Sequence, residues 1–152
     1  MTIEGHKFYP GEEATPEQVL RLANEYELAA RQLAQCGRRG EPLSRSPFRL
    51  LAIHAIELYL NAFLLAAGQP AGNVRGLQHD LFARAELASA QRLQFRKRTT
   101  DHLRQLSRSR EYLLTRYDPL ASGVSELNRL MATLTETSEK VTAWMNAGKV
   151  NN

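Results

Sequence analysis

The chain has 152 residues, of which 43% are hydrophobic and 24% charged, the balance of one ordinary soluble globular domain. Its longest apolar run, residues 62–67, is too short to span a membrane, and its single cysteine cannot form an internal disulfide. With a net charge of +4 and no signal-peptide pattern, the sequence predicts a cytoplasmic protein without a membrane span.

The first predicted helix follows an irregular N-terminal arm. Residues 1–14 show no periodicity. Residues Thr15 to Gln18 then combine a capping box with a proline at the first helical position, which is a strong helix start. A helix is therefore expected from Thr15 to about Cys36, where the glycines of segment Gly37 to Gly40 end it.

The stretch Ser46 to Gly68 predicts the central helix of the fold. Ser46 and the proline after it suit a helix N-terminus, and the glycine at the far end suits a C-terminus. Apolar residues occur on all its faces, so the helix must be nearly surrounded by protein. His54, Glu57 and Asn61 share a single stripe on this helix. A polar stripe on a buried helix needs partners.

The remaining elements are also helical. Residues Gln69 to Gln78 contain a proline and two glycines and predict a loop. A short third helix is expected from its cap Asp80 to about Ser89, a fourth from about Thr99 to Arg116, and a last one from Val124 to about Ala147. No strand pattern is visible. The sequence therefore predicts an all-α, up-and-down bundle of four to five helices over residues 15–148, followed by a short tail at 149–152.

The fourth predicted helix places an arginine among core-facing residues. Arg110 shares one stripe with three leucines and Tyr117. An arginine in a core needs a partner, and Glu57 of the central helix is the one we propose. In the alternative, the helix is rotated and Arg110 lies at the rim.

The charge is concentrated in the middle of the chain. Between Arg75 and Arg116 there are ten basic and four acidic residues, a balance of +6. Sixteen of the 20 basic residues in the chain are arginines, whose guanidinium groups fork onto phosphates and carboxylates. This segment indicates an anionic partner such as a nucleotide or nucleic acid, and solvated helix faces are the alternative interpretation.

Metal and cofactor motifs are missing from the sequence. Four scattered histidines and one cysteine give no paired ligand spacing, and the glycines follow no strand, so no P-loop or Rossmann-type phosphate loop is predicted. We expect no metal site and no cofactor.

Three motifs resemble the HEPN domain, a family of small helical bundles. They are AIELYLNAFLLAAG in the central helix, LQHDLFARA at the start of the third helix and LLTRYDP at the end of the fourth. The resemblance covers about Ser46 to Pro119 by motif and the whole chain by helix order. It implies a homodimer with a polar cleft, in a family that includes nucleotide-binding domains, metal-independent ribonucleases, and toxins paired with nucleotidyltransferase antitoxins.

The resemblance also implies a set of site residues. Glu57 matches the family's acidic residue in the central helix, the pair His79 and Asp80 matches its His-Asp-Leu motif, and Arg116 with Tyr117 matches its Arg-Tyr pair. Many relatives carry a lysine at the position of Asn61. The expected ligand-binding residues all belong to this presumed cleft: Glu57, Asn61, His79, Asp80, Arg110, Arg116 and Tyr117.

If the protein cleaves RNA, His79 is the expected proton acceptor and Arg116 the expected anion stabiliser. The family's active ribonucleases carry an arginine and then a histidine after four to six residues. Arg96 with His102 fits this spacing and forms an alternative catalytic pair. Arg49 with His54 fits too, and chance alone gives about this many matches in so arginine-rich a chain.

Two functions remain open from the sequence. One is a nucleotide-binding or single-stranded-RNA-binding domain, with ribonuclease activity or a nucleotidyltransferase-type antitoxin partner as further expectations. The other is a catalytically inactive, dimeric interaction protein. A homodimer is expected in both cases, because Tyr59, Phe63 and Trp144 are predicted to extend the apolar surface beyond one protomer.

Overall fold

A computed structural model describes the backbone of residues 2–3, 6–7 and 9–150 and the side chains of residues 9–148. Within these residues the architecture is all-helical, as predicted, apart from one pair of two-residue strands. The elements in chain order are β1 (Thr2–Ile3), β2 (His6–Lys7), α1 (Pro16–Ala34), a 3₁₀ helix (Pro42–Arg45), α2 (Ser46–Ala66), α3 (Ala71–Gly76), α4 (Leu81–Ala90), α5 (Lys97–Ser109), α6 (Glu111–Tyr117) and α7 (Leu127–Val150).

The two strands lie in the N-terminal arm that was predicted to be irregular. They pair antiparallel, with Thr2 opposite Lys7 and Ile3 opposite His6. Residues 1, 4, 5 and 8 of the predicted arm lie outside the described residues.

The predicted start of α1 is confirmed. The Thr15 side chain accepts a hydrogen bond from the Gln18 amide at 3.1 Å, and the Gln18 side chain accepts one from the Thr15 amide at 2.9 Å. This reciprocal pair satisfies two of the amides that have no partner at a helix N-terminus.

The central position of α2 is confirmed, but its predicted cap is wrong. The 3₁₀ helix runs directly into α2, so Arg45 holds the cap position without a side-chain bond, and Ser46 is already helical. Eleven of the 21 residues of α2 are buried, and α1, α4, α6 and α7 all pack against it. Two of the buried residues, Tyr59 and Phe63, are completely enclosed by the chain itself, and Phe63 packs edge-on against Trp144 at 4.6 Å. The predicted apolar surface extending from Tyr59 and Phe63 is therefore absent.

The stretch Pro42–Ala66 is long and apolar enough to cross a membrane on length and composition alone. Within the bundle, 61% of its most apolar window is buried, and core helices pass the same test.

Three later boundaries differ from those predicted. The expected loop Gln69 to Gln78 contains α3, and the fourth predicted helix is divided into α5 and α6. The division falls at Arg110, whose φ of 53° is left-handed and ends the helical hydrogen-bonding pattern. The last helix begins at Leu127, later than the predicted Val124, and in the chain before it the Ser125 amide donates to Glu111 Oε1 at 2.7 Å.

The C-terminal end of α7 reaches beyond its predicted limit. It continues to Val150, into the expected tail, and residues 151–152 lie outside the described part of the chain. The predicted cap of the third helix is confirmed, since the Ala83 amide donates to Asp80 Oδ1 at 2.9 Å at the start of α4.

Candidate functional site

Each residue of the polar stripe on α2 meets a different neighbour. His54 packs edge-on against Tyr26 of α1, with ring centroids 4.6 Å apart. Glu57 Oε1 lies 2.9 Å from His79 Nδ1 in the turn before α4. Asn61 Oδ1 accepts a hydrogen bond from Arg84 Nε of α4 at 2.7 Å. The expectation that this stripe needs partners is confirmed.

A groove of about 760 Å³ runs along the Glu57 and Asn61 part of the stripe. It lies between segment 9–14, α1, α2, α3 and the start of α4. Its apolar walls include Val19, Leu22, Leu58, Leu65 and Val74. Its polar groups include Glu57, Asn61, Arg75, His79 and Arg84. Apolar walls with a few convergent polar groups, at this volume, are the usual form of a small-molecule site.

Segment 9–14 is attached to the groove by Arg75. The Arg75 guanidinium stacks over the Tyr9 ring at 3.9 Å and lies 3.7 Å from a Glu12 carboxylate oxygen. One arginine of α3 therefore holds the chain that forms one edge of the groove.

The pair formed by Glu57 and His79 defines which histidine nitrogen carries a proton. A carboxylate only accepts hydrogen bonds, so His79 Nδ1 donates to Glu57 and the neutral ring keeps a lone pair on Nε2. Tyr112 of α6 packs against the imidazole with centroids 4.6 Å apart and supports this orientation. The His79 side chain is 45% exposed and Glu57 is 13% exposed. The geometry is that of a histidine oriented by a carboxylate, and among the described residues its second nitrogen has no hydrogen-bond partner.

Arg84 is the buried arginine of the site, and sequence reasoning missed it. Its side chain is 2% exposed, and its two terminal nitrogens donate to the backbone carbonyls of Asp80 at 3.2 Å and Val74 at 3.4 Å. Burial lowers the pKa of its guanidinium, and the nearby carboxylates of Glu57 and Asp80 oppose that shift. Arg84 thus connects α2, α3 and α4 behind the groove.

The predicted pairing of Arg110 with Glu57 is wrong. Arg110 is exposed at the junction between α5 and α6, and His79 and Arg84 are the residues that lie beside Glu57. The alternative prediction, that Arg110 lies at the rim of the fold, agrees with its exposed position. Tyr117 belonged to the same predicted core stripe, and it is 74% exposed because the break at Arg110 shifts the phase of the helix.

Arg116 lies near the other end of the polar stripe. Burial lowers the pKa of His54, and the charges of Arg116 and His79 lower it further against the effect of Glu57. Arg116 is exposed on α6 and does not line the groove itself. Asp80 acts as the α4 cap, and its Oδ1 also accepts from the Ser107 hydroxyl at 3.0 Å.

The alternative catalytic pair is not assembled. His102 is 7% exposed, and its two ring nitrogens bond to Thr133 Oγ1 at 2.6 Å and Ser125 Oγ at 2.7 Å. Arg96 is exposed at the start of α5. A histidine enclosed in this way cannot reach a substrate. In the other formal match, Arg49 pairs with Glu111 at 3.7 Å and His54 packs against Tyr26.

Among residues 9–148, no three His, Cys, Asp or Glu side chains are grouped closely enough to hold a metal ion. Comparisons of the chain with protein-family models, with curated proteins and with solved structures found no match. The resemblance to the HEPN family therefore stays a prediction, and the groove is the feature of the structure that bears on function.

Proposed function

We propose that the protein is a HEPN-like domain that binds a nucleotide, or one exposed base of a single-stranded RNA, in the groove. The observation that carries the proposal is the polar edge of Glu57 and Asn61 set into apolar walls. A flat nucleobase needs both kinds of surface, because its faces are apolar and its edge is a row of donors and acceptors.

Arg75 and Arg116 supply the positive charge that phosphate groups require. Arg75 lines the groove, and Arg116 is exposed on α6, where its charge acts on His54. Guanidinium groups bind phosphate through two parallel hydrogen bonds. The excess of basic residues between Arg75 and Arg116 supports the same ligand class, since it attracts polyanions.

The test is a titration of nucleotides and short single-stranded RNA against the wild type and Arg116→Ala. We expect the variant to bind RNA about tenfold more weakly, because one charge-assisted contact is lost. Wild-type affinity should also fall as salt rises. Arg108→Ala is the matched control, since Arg108 is also exposed and outside the groove but is not among the charges that act on His54. No binding by the wild type, or an equal loss in both variants, would favour the interaction protein instead.

RNA cleavage is a second candidate function, favoured by the oriented and exposed His79. In this reaction the ribose 2′-hydroxyl attacks the adjacent phosphorus and its proton passes to His79 Nε2. The bond from phosphorus to the 5′-oxygen breaks, the 5′-oxygen takes a proton from water and leaves as a hydroxyl, and a 2′,3′-cyclic phosphate remains. Arg116 would stabilise the charge on the phosphoryl oxygens. In the same RNA samples, His79→Ala should remove cleavage and retain binding, and EDTA should have no effect.

A further inference from the structure

Arg84 locks the side chain of Asn61 in one orientation. A guanidinium can only donate, so the Asn61 oxygen must face Arg84 Nε, and the Asn61 amide nitrogen must face away from it. Arg84 cannot turn aside, because it is buried and its other nitrogens are held by the carbonyls of Asp80 and Val74. Among the described residues no group accepts from Asn61 Nδ2. Asn61 lines the groove, and it therefore presents a fixed pair of donors there.

Glu57 places an acceptor one turn away on the same wall. Side chains four residues apart on a helix have Cβ atoms about 6 Å apart, which is the scale of a nucleobase edge. Oε1 of Glu57 already accepts from His79, and among the described residues Oε2 has no hydrogen-bonding partner. Each carboxylate oxygen accepts two hydrogen bonds, so both oxygens of Glu57 can still receive a donor from a ligand.

Guanine is the base whose edge matches this arrangement best. Its N1–H and N2 amino group are adjacent donors that fit the two oxygens of a carboxylate, and its O6 beside them accepts from an amide such as that of Asn61. Adenine in the same position would set its N1 lone pair against the carboxylate and its N6 amino group against the Asn61 donors. Hypoxanthine lacks only the N2 amino group and loses one bond.

We infer that the groove selects guanine, with Asn61 and Glu57 as the specificity-determining residues and Arg84 as the positioning residue behind Asn61. This inference rests on the proposed nucleotide-binding function. It predicts GMP as the tightest of the simple nucleotides, with IMP weaker and AMP about tenfold weaker than GMP, because unpaired or opposed polar groups lower affinity.

The test compares GMP, IMP and AMP by calorimetric titration on the wild type, Asn61→Asp and Arg116→Ala. Asn61→Asp still gives Arg84 an acceptor, so the packing behind the groove is retained, but it replaces the donors with a second acceptor. We expect this variant to lose the preference for GMP over AMP. Arg116→Ala should weaken both nucleotides by the same factor, since it acts on the phosphate.

The outcomes distinguish guanine selection from nucleotide binding itself. Equal wild-type affinities for GMP and AMP would overturn guanine selection and leave nucleotide binding standing. Retention of the GMP preference in Asn61→Asp would overturn the role of Asn61. Failure of every nucleotide and RNA to bind would overturn the proposed function as well. The wild-type comparison decides the specificity even if the variant does not fold.

Discussion

At the scale of single residues, His102 is part of a buried hydrogen-bond chain with one consistent direction. The Ser125 hydroxyl donates to Glu111 Oε1 at 2.8 Å, and a serine has only one proton to donate. His102 Nε2 must therefore donate to Ser125, and in the neutral ring Nδ1 accepts from the Thr133 hydroxyl. This chain joins α5, α6 and α7 around the His102 ring.

We predict that His102 makes the protein sensitive to acid. Burial, with a further contribution from Arg129, lowers the pKa of His102 from 6.5 to about 4. Below pH 6.5 the His102 imidazole is protonated in the unfolded chain but stays neutral in the folded chain, so acid favours unfolding. Above pH 6.5 the imidazole is neutral in both states. The loss of unfolding free energy should reach about 3 kcal/mol at pH 4.

Urea denaturation of the wild type and His102→Gln between pH 4 and pH 8 checks this prediction. Other groups titrate equally in both proteins, so the stability difference between them isolates His102. The wild type should lose its advantage over the variant as the pH falls. A difference that does not change with pH would contradict the assignment.

The two arginines show what residue patterns can and cannot predict. Periodicity correctly located the polar stripe of α2, because the face of a helix depends only on residue spacing. It assigned the wrong arginine as a partner, because spacing does not say which element covers that face. A signal for Arg84 was present, since it shares a face of α4 with Leu81, Ala85 and Ala88, all of them buried.

At the scale of elements, the sequence has no helix-breaking residue at the junction between α5 and α6. Between Gly76 and Pro119 there is no glycine or proline, so residue patterns predicted one continuous fourth helix from about Thr99 to Arg116. Arg110 nevertheless adopts the left-handed conformation, which costs an ordinary residue about 1–2 kcal/mol. Where glycine or a capping residue was present, at Asp80 and at the start of α1, the predicted boundaries hold to within one or two residues.

The cost at this junction predicts that Arg110→Gly stabilises the protein. Glycine adopts a φ of 53° without steric strain, and Arg110 is exposed, so we expect the free energy of unfolding to rise by about 0.5–1 kcal/mol. Arg108→Gly is the control, because Arg108 is also exposed but lies in the last turn of α5 without a positive φ, where glycine should cost up to about 1 kcal/mol. Thermal melts of both variants measure the difference, and equal shifts in the same direction would contradict the role assigned to the junction.

At the scale of the whole molecule, the core could be predicted and the groove could not. The most apolar helix is central because burying it removes the most apolar surface from water. The groove forms where segment 9–14, α1, α2, α3 and the start of α4 fail to close over the polar stripe. Its existence depends on short segments such as α3, which the sequence presented as a loop.

The enclosed core also bears on whether a homodimer is needed for folding. Because Tyr59 and Phe63 are enclosed by their own chain, folding should not require a partner, and a dimer should dissociate into folded monomers. We expect light scattering to give twice the 17.2 kDa chain mass at high concentration and the monomer mass on dilution, with unchanged helical circular dichroism per residue. The monomer mass at every concentration would refute the dimer. Loss of the helical circular dichroism signal on dilution would show instead that a single chain does not stay folded as a monomer.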